Sequence, residues 1–566
     1  LTLVSLGLDF VVWGEDATGF HLTNLLLHLF NILLVFWLLK RWTTSLGLAF
    51  LGALLFGIHP MHMESVVWIS ARKDLLSGLL ILVSLRYYTQ YLHFKRNDWL
   101  GVAIFSLLAA LFAKPIAVVV PVLWLLLDLL YRREWSLRML FEKIPAFLLA
   151  SIFLYVARSG QADIDSLAQA GSFRLFEGLT MGLTNLIHYF ASAFGPWKTG
   201  PFHPFPFQRG VELPGSYYLS WIALPIIGVL LFISFRRARG IFFGLAFFII
   251  CLLPYLQIVP YGKALHADRY TYLPYIGLFF AVLLLGQQLR VRRPKVSLTG
   301  FFVALGIWVS VLGYLAISYQ PVWKDGNVLW SFVIEQYPDH YLGYLNRAKW
   351  SQKGEYQERA EQDLKRSLEL NYQGGETHYE MGRLQQARQE MDLALKHYRM
   401  AVVFDPTFSR AWLNLGVLLA SRGDYTNAEK NFSHALELDP EYTLARLNRA
   451  MARRQLQQRE AALEDYRLVY KAEPGNATYA NHFANYLIEL GENLQAIEVL
   501  NRFLLLHSEN AESFYLRMRA NYAQGRYEAA SGDAMAARGL GKEISEAEWT
   551  AVMRNAEMKP MMELMI

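Results

Sequence analysis

Between two strongly apolar runs, Thr44 to Ile58 and Leu75 to Tyr91, the chain places the segment His59-Pro60-Met61-His62-Met63-Glu64-Ser65-Val66-Val67-Trp68-Ile69-Ser70-Ala71-Arg72-Lys73-Asp74. Two imidazoles, two carboxylates and two cations stand within it. Neither a soluble core nor a lipid interior tolerates such a density of polar groups, so the segment reads as a loop joining two membrane helices. Charge held at that level in a membrane marks a functional site by default.

The rest of the chain agrees with a membrane protein in its first part and with a water-exposed one in its second. Apolar residues make up 54% of the 566 residues and charged ones 18%, against roughly 45–50% and about 25% in soluble domains. Up to Tyr319 apolar runs alternate with short polar connections, whereas from Trp323 onward Glu, Arg, Lys, Gln and Asn are dense and helically spaced. The single cysteine, Cys251, lies in an apolar run and excludes an intramolecular disulfide. A net charge of +6 is modest, and no nucleic-acid partner is expected.

Runs of roughly 15 to 22 apolar residues read as spans. They are Phe20 to Leu39, Thr44 to Ile58, Asp74 to His93, Asp98 to Ala113, Pro115 to Tyr131, Ile144 to Val156, Ser216 to Phe235, Ile241 to Ile258, Tyr272 to Leu289 and Ser297 to Tyr319. That is about ten, several short enough to be tilted or broken. An alternating path then gathers Lys40-Arg41, Lys95-Arg96, Arg132-Arg133 with Arg138, Arg236-Arg237-Arg239 and Arg290-Arg292-Arg293-Lys295 on one face. The positive-inside rule makes that face cytoplasmic. The loop His59 to Asp74, the loop Ala157 to Gly215, the turn near Lys114, the segment Val259 to Arg269 and the C-terminal region fall on the periplasmic or lumenal side.

Pro406, Pro440 and Pro474 recur every 34 residues, the tetratricopeptide period. The unit is clearest in Ala411-Trp412-Leu413-Asn414-Leu415-Gly416, Gly423-Asp424-Tyr425, Ala428, Phe432, Ala435 and Pro440. Small residues let paired helices approach, and proline ends the second helix. Such stacks expose a concave surface suited to a protein partner. The expected organisation is 1–320 membrane domain, 321–337 connector, 338–545 repeat domain and 546–566 C-terminal tail.

Gly19-Phe20-His21-Leu22-Thr23-Asn24-Leu25-Leu26-Leu27-His28, the stretch His59 to Asp74, Lys114-Pro115 with Pro121 and Asp128, and Ala267-Asp268-Arg269-Tyr270-Thr271-Tyr272-Leu273-Pro274 follow one another. In that order, with the trailing repeats, they resemble the transmembrane and tetratricopeptide repeat-containing O-mannosyltransferases and their bacterial relatives. The resemblance implies an all-α chain: a polytopic membrane bundle of GT-C type followed by a tetratricopeptide α-solenoid. It also implies a glycosyltransferase that uses a polyprenyl-phosphate sugar. The family's first span and acidic loop motif are expected upstream of Leu1. What the chain offers of that loop is Asp9, Glu15 and Asp16.

Such chemistry needs a carboxylate to take the hydroxyl proton and cations to meet the charge growing on the leaving phosphate. Glu64 is the expected acid–base group, with His62 and His59 beside it. A divalent metal on His59, His62 and Glu64 is the alternative to plain loop packing by the histidines, and no other cofactor is expected. Arg72, Arg269 and Lys114 are the expected donor phosphate ligands, against the bland reading of interfacial anchors, and Lys73 and Lys263 share that bland reading. Asp74 and Asp268 are supporting partners of the arginines. Tyr270 and Tyr272 stand for an aromatic belt or for sugar stacking. His21, Asn24 and His28 share a helix face and bind the donor or tie helices together.

The function expected is transfer of a hexose such as mannose from a polyprenyl-phosphate donor to Ser/Thr of proteins on the extracytoplasmic face, in a bacterial inner membrane, with the repeats docking the acceptor. Two alternatives stay open. One is a non-catalytic membrane scaffold that assembles surface or secreted proteins; the other is a polyprenyl-linked glycan ligase or lipid transporter.

Overall fold

A backbone surrounded by lipid must satisfy its polar groups internally, which favours helices, and helices make up most of the described residues. The structure is a computed structural model that describes residues 1–43, 45–162, 175–197, 199–205, 213–258, 264–292, 298–351 and 357–563. It divides into two compact units, Leu1–Ser351 and Gln352–Ile566.

The first unit runs α1 (Thr2–Trp13), α2 (Ala17–Thr43), α3 (Leu46–Ile58), α4 (Met63–Val67), α5 (Arg72–Phe94), α6 (Asn97–Ala113), α7 (Val120–Leu130), α8 (Leu137–Phe141) and α9 (Ile144–Ala162). It continues with α10 (Leu175–Ser192), α11 (Ala223–Arg237), α12 (Arg239–Leu252), α13 (Pro274–Arg292), α14 (Leu298–Tyr319), α15 (Gly326–Gln336) and α16 (Tyr341–Ser351). Among the described residues the strands are a short ladder, His203–Pro204 antiparallel to Ala264–His266.

Among the described residues four helical stretches are long and apolar enough to cross a membrane: Ala17–Thr43, Leu137–Ala157, Gly215–Arg237 and Leu305–Trp323. A fifth is α3 with Pro60–Val67, bent by 56°. The bend has a local cause, since His59 must be extended before Pro60 and stands at φ −67°, ψ 127°. Further apolar helices are shorter, among them Asn97–Ala113, Pro115–Leu130 and Arg239–Tyr255. The large apolar side chains of α11, such as Ile226, Leu230 and Phe232, are exposed, as a lipid-facing surface requires. Small residues bring helices together elsewhere. A Cβ on Gly244 of α12 would stand 2.5 Å from the carbonyl oxygen of Gly277 in α13.

A buried polar knot ties α5, α7, α8 and α9. Asp128 accepts from the Tyr88 hydroxyl at 2.8 Å and pairs with Lys143 at 2.5 Å, while Arg133 bridges to Glu142 at 2.6 Å. Each buried charge there has an opposite charge, the condition for keeping ions out of water.

In the second unit helices alternate in antiparallel pairs, from Gln357–Leu370 through Ser409–Ser421 and Tyr425–Leu438 to Tyr527–Gly539. The repeat positions are set by close approach. A Cβ on Gly416 would meet the Phe432 ring at 2.6 Å, and one on Gly382 the Tyr398 ring at 2.8 Å. Gly423, Gly491 and Gly525 turn the chain with φ between 69° and 83°, a conformation glycine adopts without strain. Arg449 and Arg453 converge on the buried carboxylate of Asp465, at 2.8 and 2.9 Å. The helix Glu546–Glu563 occupies the expected tail and follows the last repeat pair. The compact units part after Ser351, so α15 and α16 belong with the first.

Candidate active site

The loop after α3 is folded rather than open, and its histidines explain how. His59 accepts from the Met61 backbone N–H at 3.3 Å through Nδ1 and donates from Nε2 to the Ala193 carbonyl at 3.2 Å. His62 donates from Nδ1 to the Phe56 carbonyl at 2.7 Å. These tautomers follow from the partners each ring meets. Both rings are buried. The metal alternative fails on this geometry: among the described residues no group of three His, Cys, Asp or Glu side chains is arranged to hold an ion. The two imidazoles instead staple the loop to α3 and to the turn after α10.

Glu64 is fully buried, and both of its oxygens are engaged by Arg269. One of its oxygens pairs with the Arg269 guanidinium and the other accepts the Arg269 backbone N–H at 2.9 Å. Its carboxylate therefore anchors Arg269. The cation itself is 19% exposed and lies 5.2 Å from the centre of the Trp68 ring and 5.0 Å from that of Tyr270.

Arg72 has the opposite character from Arg269. Its side chain is 0% exposed and its donors are already engaged. Nε bonds Asn24 Oδ1 at 2.8 Å, Nη2 bonds the Phe20 carbonyl at 2.9 Å, and Nη1 bonds the Ser5 carbonyl at 3.2 Å and pairs with Asp9 at 2.5 Å. A guanidinium so committed cannot also cradle a lipid phosphate, so the expected phosphate role falls away and Arg72 positions Asp9. Asp9 also accepts from the Thr23 hydroxyl at 3.0 Å. It is the one charged residue in α1, TLVSLGLDFVVW, and a charge inside an apolar helix was the signal that singles it out.

Lys114 pairs with Asp74 and stands 5.0 Å from the Tyr255 ring centre and 5.6 Å from that of Tyr270. Those two rings stack at 4.0 Å, 6° from parallel. Asp74, Ser77, Tyr255, Arg269, Tyr270 and Tyr272 line one narrow cleft. Two cations and a stacked aromatic pair thus sit together beside one cleft.

Asp268 serves the scaffold and does not pair with the guanidinium of Arg269. Its oxygens take His203 Nε2 at 3.1 Å and the Gly200 N–H at 2.9 Å. His203 also reaches the Tyr337 hydroxyl at 2.9 Å and lies 4.3 Å from the His266 ring. Burial, then His203 and His188, hold the His266 imidazole below its ordinary pKa range.

On α2, Asn24 and His28 are buried, and Asn31, which the sequence reading passed over, joins them. Asn24 donates to the Val66 carbonyl at 3.2 Å, fixing the loop against α2. Tyr272 donates to His28 Nδ1 at 2.8 Å and accepts from Asn31 at 2.9 Å. Tyr272 is therefore a buried tie between helices, not a belt residue. Its ring reaches this depth because a Cβ on Gly78 would stand 3.1 Å from it. His21 is exposed and takes no part. Lys263 lies outside the described residues.

The tetratricopeptide repeat family matches residues 409–442 and 483–539. Protein O-mannosyl-transferase TMTC1 of Mus musculus is 37% identical over 93 residues, 16% of this chain and 10% of that protein. Protein O-mannosyl-transferase Tmtc1 of Drosophila melanogaster is 33% identical over 133 residues, 23% and 15% respectively. The chain is similar to the TMTC-type protein O-mannosyl-transferases. The alignments with these TMTC-type relatives span no more than about a seventh of their length. Among solved structures, one described as the functional characterization of Pseudomonas aeruginosa pilF is 21% identical and covers 41% of this chain and 99% of that one, with a TM-score of 0.32.

Proposed function

We propose that this chain is a membrane glycosyltransferase that moves a hexose such as mannose from a polyprenyl-phosphate donor to Ser or Thr of proteins on the extracytoplasmic face. The observation that carries the reading is the pair of part-exposed cations, Arg269 and Lys114, each fixed by its own carboxylate beside one cleft. The TMTC-type relatives are named as protein O-mannosyl-transferases, which supports the same reaction class.

The attacking oxygen of the acceptor forms a bond to the anomeric carbon as the bond from that carbon to the phosphate oxygen breaks. Polyprenyl phosphate leaves, and the hydroxyl proton passes to a carboxylate. Arg269 and Lys114 are the groups to meet the charge growing on the leaving phosphate, and cations held in place beforehand need no reorganisation at that moment. Asp9 is the carboxylate for the proton, held in one orientation by Arg72 and Thr23. A GT-C membrane bundle of about ten spans carries this site. The repeats dock the acceptor protein.

The test is transfer by the purified protein in lipid nanodiscs, with a panel of polyprenyl-phosphate sugars and secreted acceptor proteins, scored as a hexose increment by mass spectrometry. Arg269→Ala is expected to lower kcat/KM by about 10²- to 10³-fold, the usual cost of one charge-stabilising group. Absence of transfer from every donor, with intact binding of proteins to the repeats, would leave a membrane scaffold as the function.

A further inference from the structure

The cations of the cleft have carboxylate partners, but two other polar groups on its wall do not. Asp74 spends Oδ1 on Lys114, while Asp74 Oδ2 and Ser77 Oγ are buried and have no hydrogen-bond partner. Both residues are more than nine-tenths buried and both line the cleft. They stand three residues apart at the start of α5, so they occupy one helix face as neighbours. A buried polar atom without a partner costs free energy that a bound group can recover.

We propose that the Asp74–Ser77 edge is a sugar-reading subsite, which takes two hydroxyls of the donor's hexosyl group. This deepens the proposed function and rests on it. A carboxylate oxygen can only accept, and a serine hydroxyl both accepts and donates, so together they match a polyol that offers both kinds of bond on neighbouring carbons. Tyr270 lines the same cleft, and its ring supplies an apolar surface for the C–H face of a sugar. Arg269 lines the same cleft and Lys114 holds Asp74 itself, so a phosphate on these cations leaves its attached sugar beside Asp74 and Ser77. An acceptor serine brings a single hydroxyl and would leave one of the two groups unmet.

The experiment compares two probes binding to the purified full chain in nanodiscs: a short-chain polyprenyl phosphate, and the same lipid bearing mannose. The wild type is expected to bind the mannosylated lipid about tenfold or more tighter. Ser77→Ala keeps the Asp74–Lys114 pair and is expected to bind bare lipid as the wild type does while losing most of that difference. Mono-deoxy mannosyl lipids locate the hydroxyl involved. At the position read by Ser77 the deoxy probe binds the wild type weakly, yet Ser77→Ala does not distinguish it from the parent sugar. An equal preference in wild type and Ser77→Ala, or no preference in the wild type, would overturn the subsite while leaving phosphate recognition standing. An effect of Ser77→Ala confined to the KM of an acceptor peptide would assign the edge to the acceptor and also overturn it. Failure to bind either lipid would remove the polyprenyl-phosphate reading and the subsite with it.

Discussion

Arg269 gives Glu64 two bonds from two different parts of itself, the guanidinium and the backbone N–H, which reach the two oxygens of one carboxylate. The contact joins residues 205 positions apart, so it locks the loop after α3 to the turn before α13. It also fixes where the Arg269 cation sits beside the cleft. Glu64 thereby orients a cation.

A kinetic split follows. Glu64→Gln keeps a side chain of the same shape but removes the charge that holds Arg269, and it is expected to raise donor KM with a smaller change in kcat. Asp9→Asn is expected to lower kcat by about 10² to 10⁴, the usual worth of a proton-transferring carboxylate, at little changed KM. Steady-state transfer kinetics at varied donor concentration separate the two. A kcat collapse in Glu64→Gln with an active Asp9→Asn would reverse the roles.

Much of this site was legible because charge between apolar runs is rare, and the sequence already pointed to His59 through Asp74 and to Arg269. The split between Arg72 and Arg269 was not legible. Both are single arginines in short polar stretches, and only contacts with Ser5, Asp9, Phe20 and Asn24, far off in sequence, show that one is buried and saturated. The face of α2 was half legible: the spacing brought out Asn24 and His28, but not that Asn31 extends the face or that His21 stays exposed. The repeats were the most legible part, because their helix pairs depend on near neighbours in the chain, such as Gly416 with Phe432.

Sidedness is tested by accessibility. Ser65 is a poor reporter because it is buried, whereas Ser70 and Arg237 are both exposed. With Cys251 buried and silent, a cysteine at Ser70 is expected to react with an impermeant thiol reagent added outside intact cells, and one at Arg237 only after permeabilisation. The reverse pattern would invert the membrane orientation.

Stability of the repeats should depend on Asp465, whose buried carboxylate gathers Arg449 and Arg453. Asp465→Ala removes the carboxylate that Arg449 pairs with and leaves Arg453 with Glu429 alone. Because both arginines keep partial access to water, the cost is expected to fall below that of breaking a fully buried pair, at about 1–3 kcal/mol. Urea unfolding of residues 352–566, followed by circular dichroism, measures it. A midpoint unchanged from wild type would show the cluster to be dispensable.

The repeats and the cleft are separable in function if the repeats only hold the acceptor. Residues 1–351 form a compact unit of their own that contains every residue of the candidate site, so removing 352–566 should leave the chemistry in place. Use of a folded acceptor protein is then expected to fall by about 10²-fold or more, because docking replaces bulk concentration with a far higher local one. Transfer to a short serine-containing peptide supplied at millimolar concentration should change little. Equal loss for both acceptors, in truncated protein that still binds polyprenyl phosphate, would mean that the repeats help build the catalytic site, since a donor-competent cleft would then be present without the means to use it.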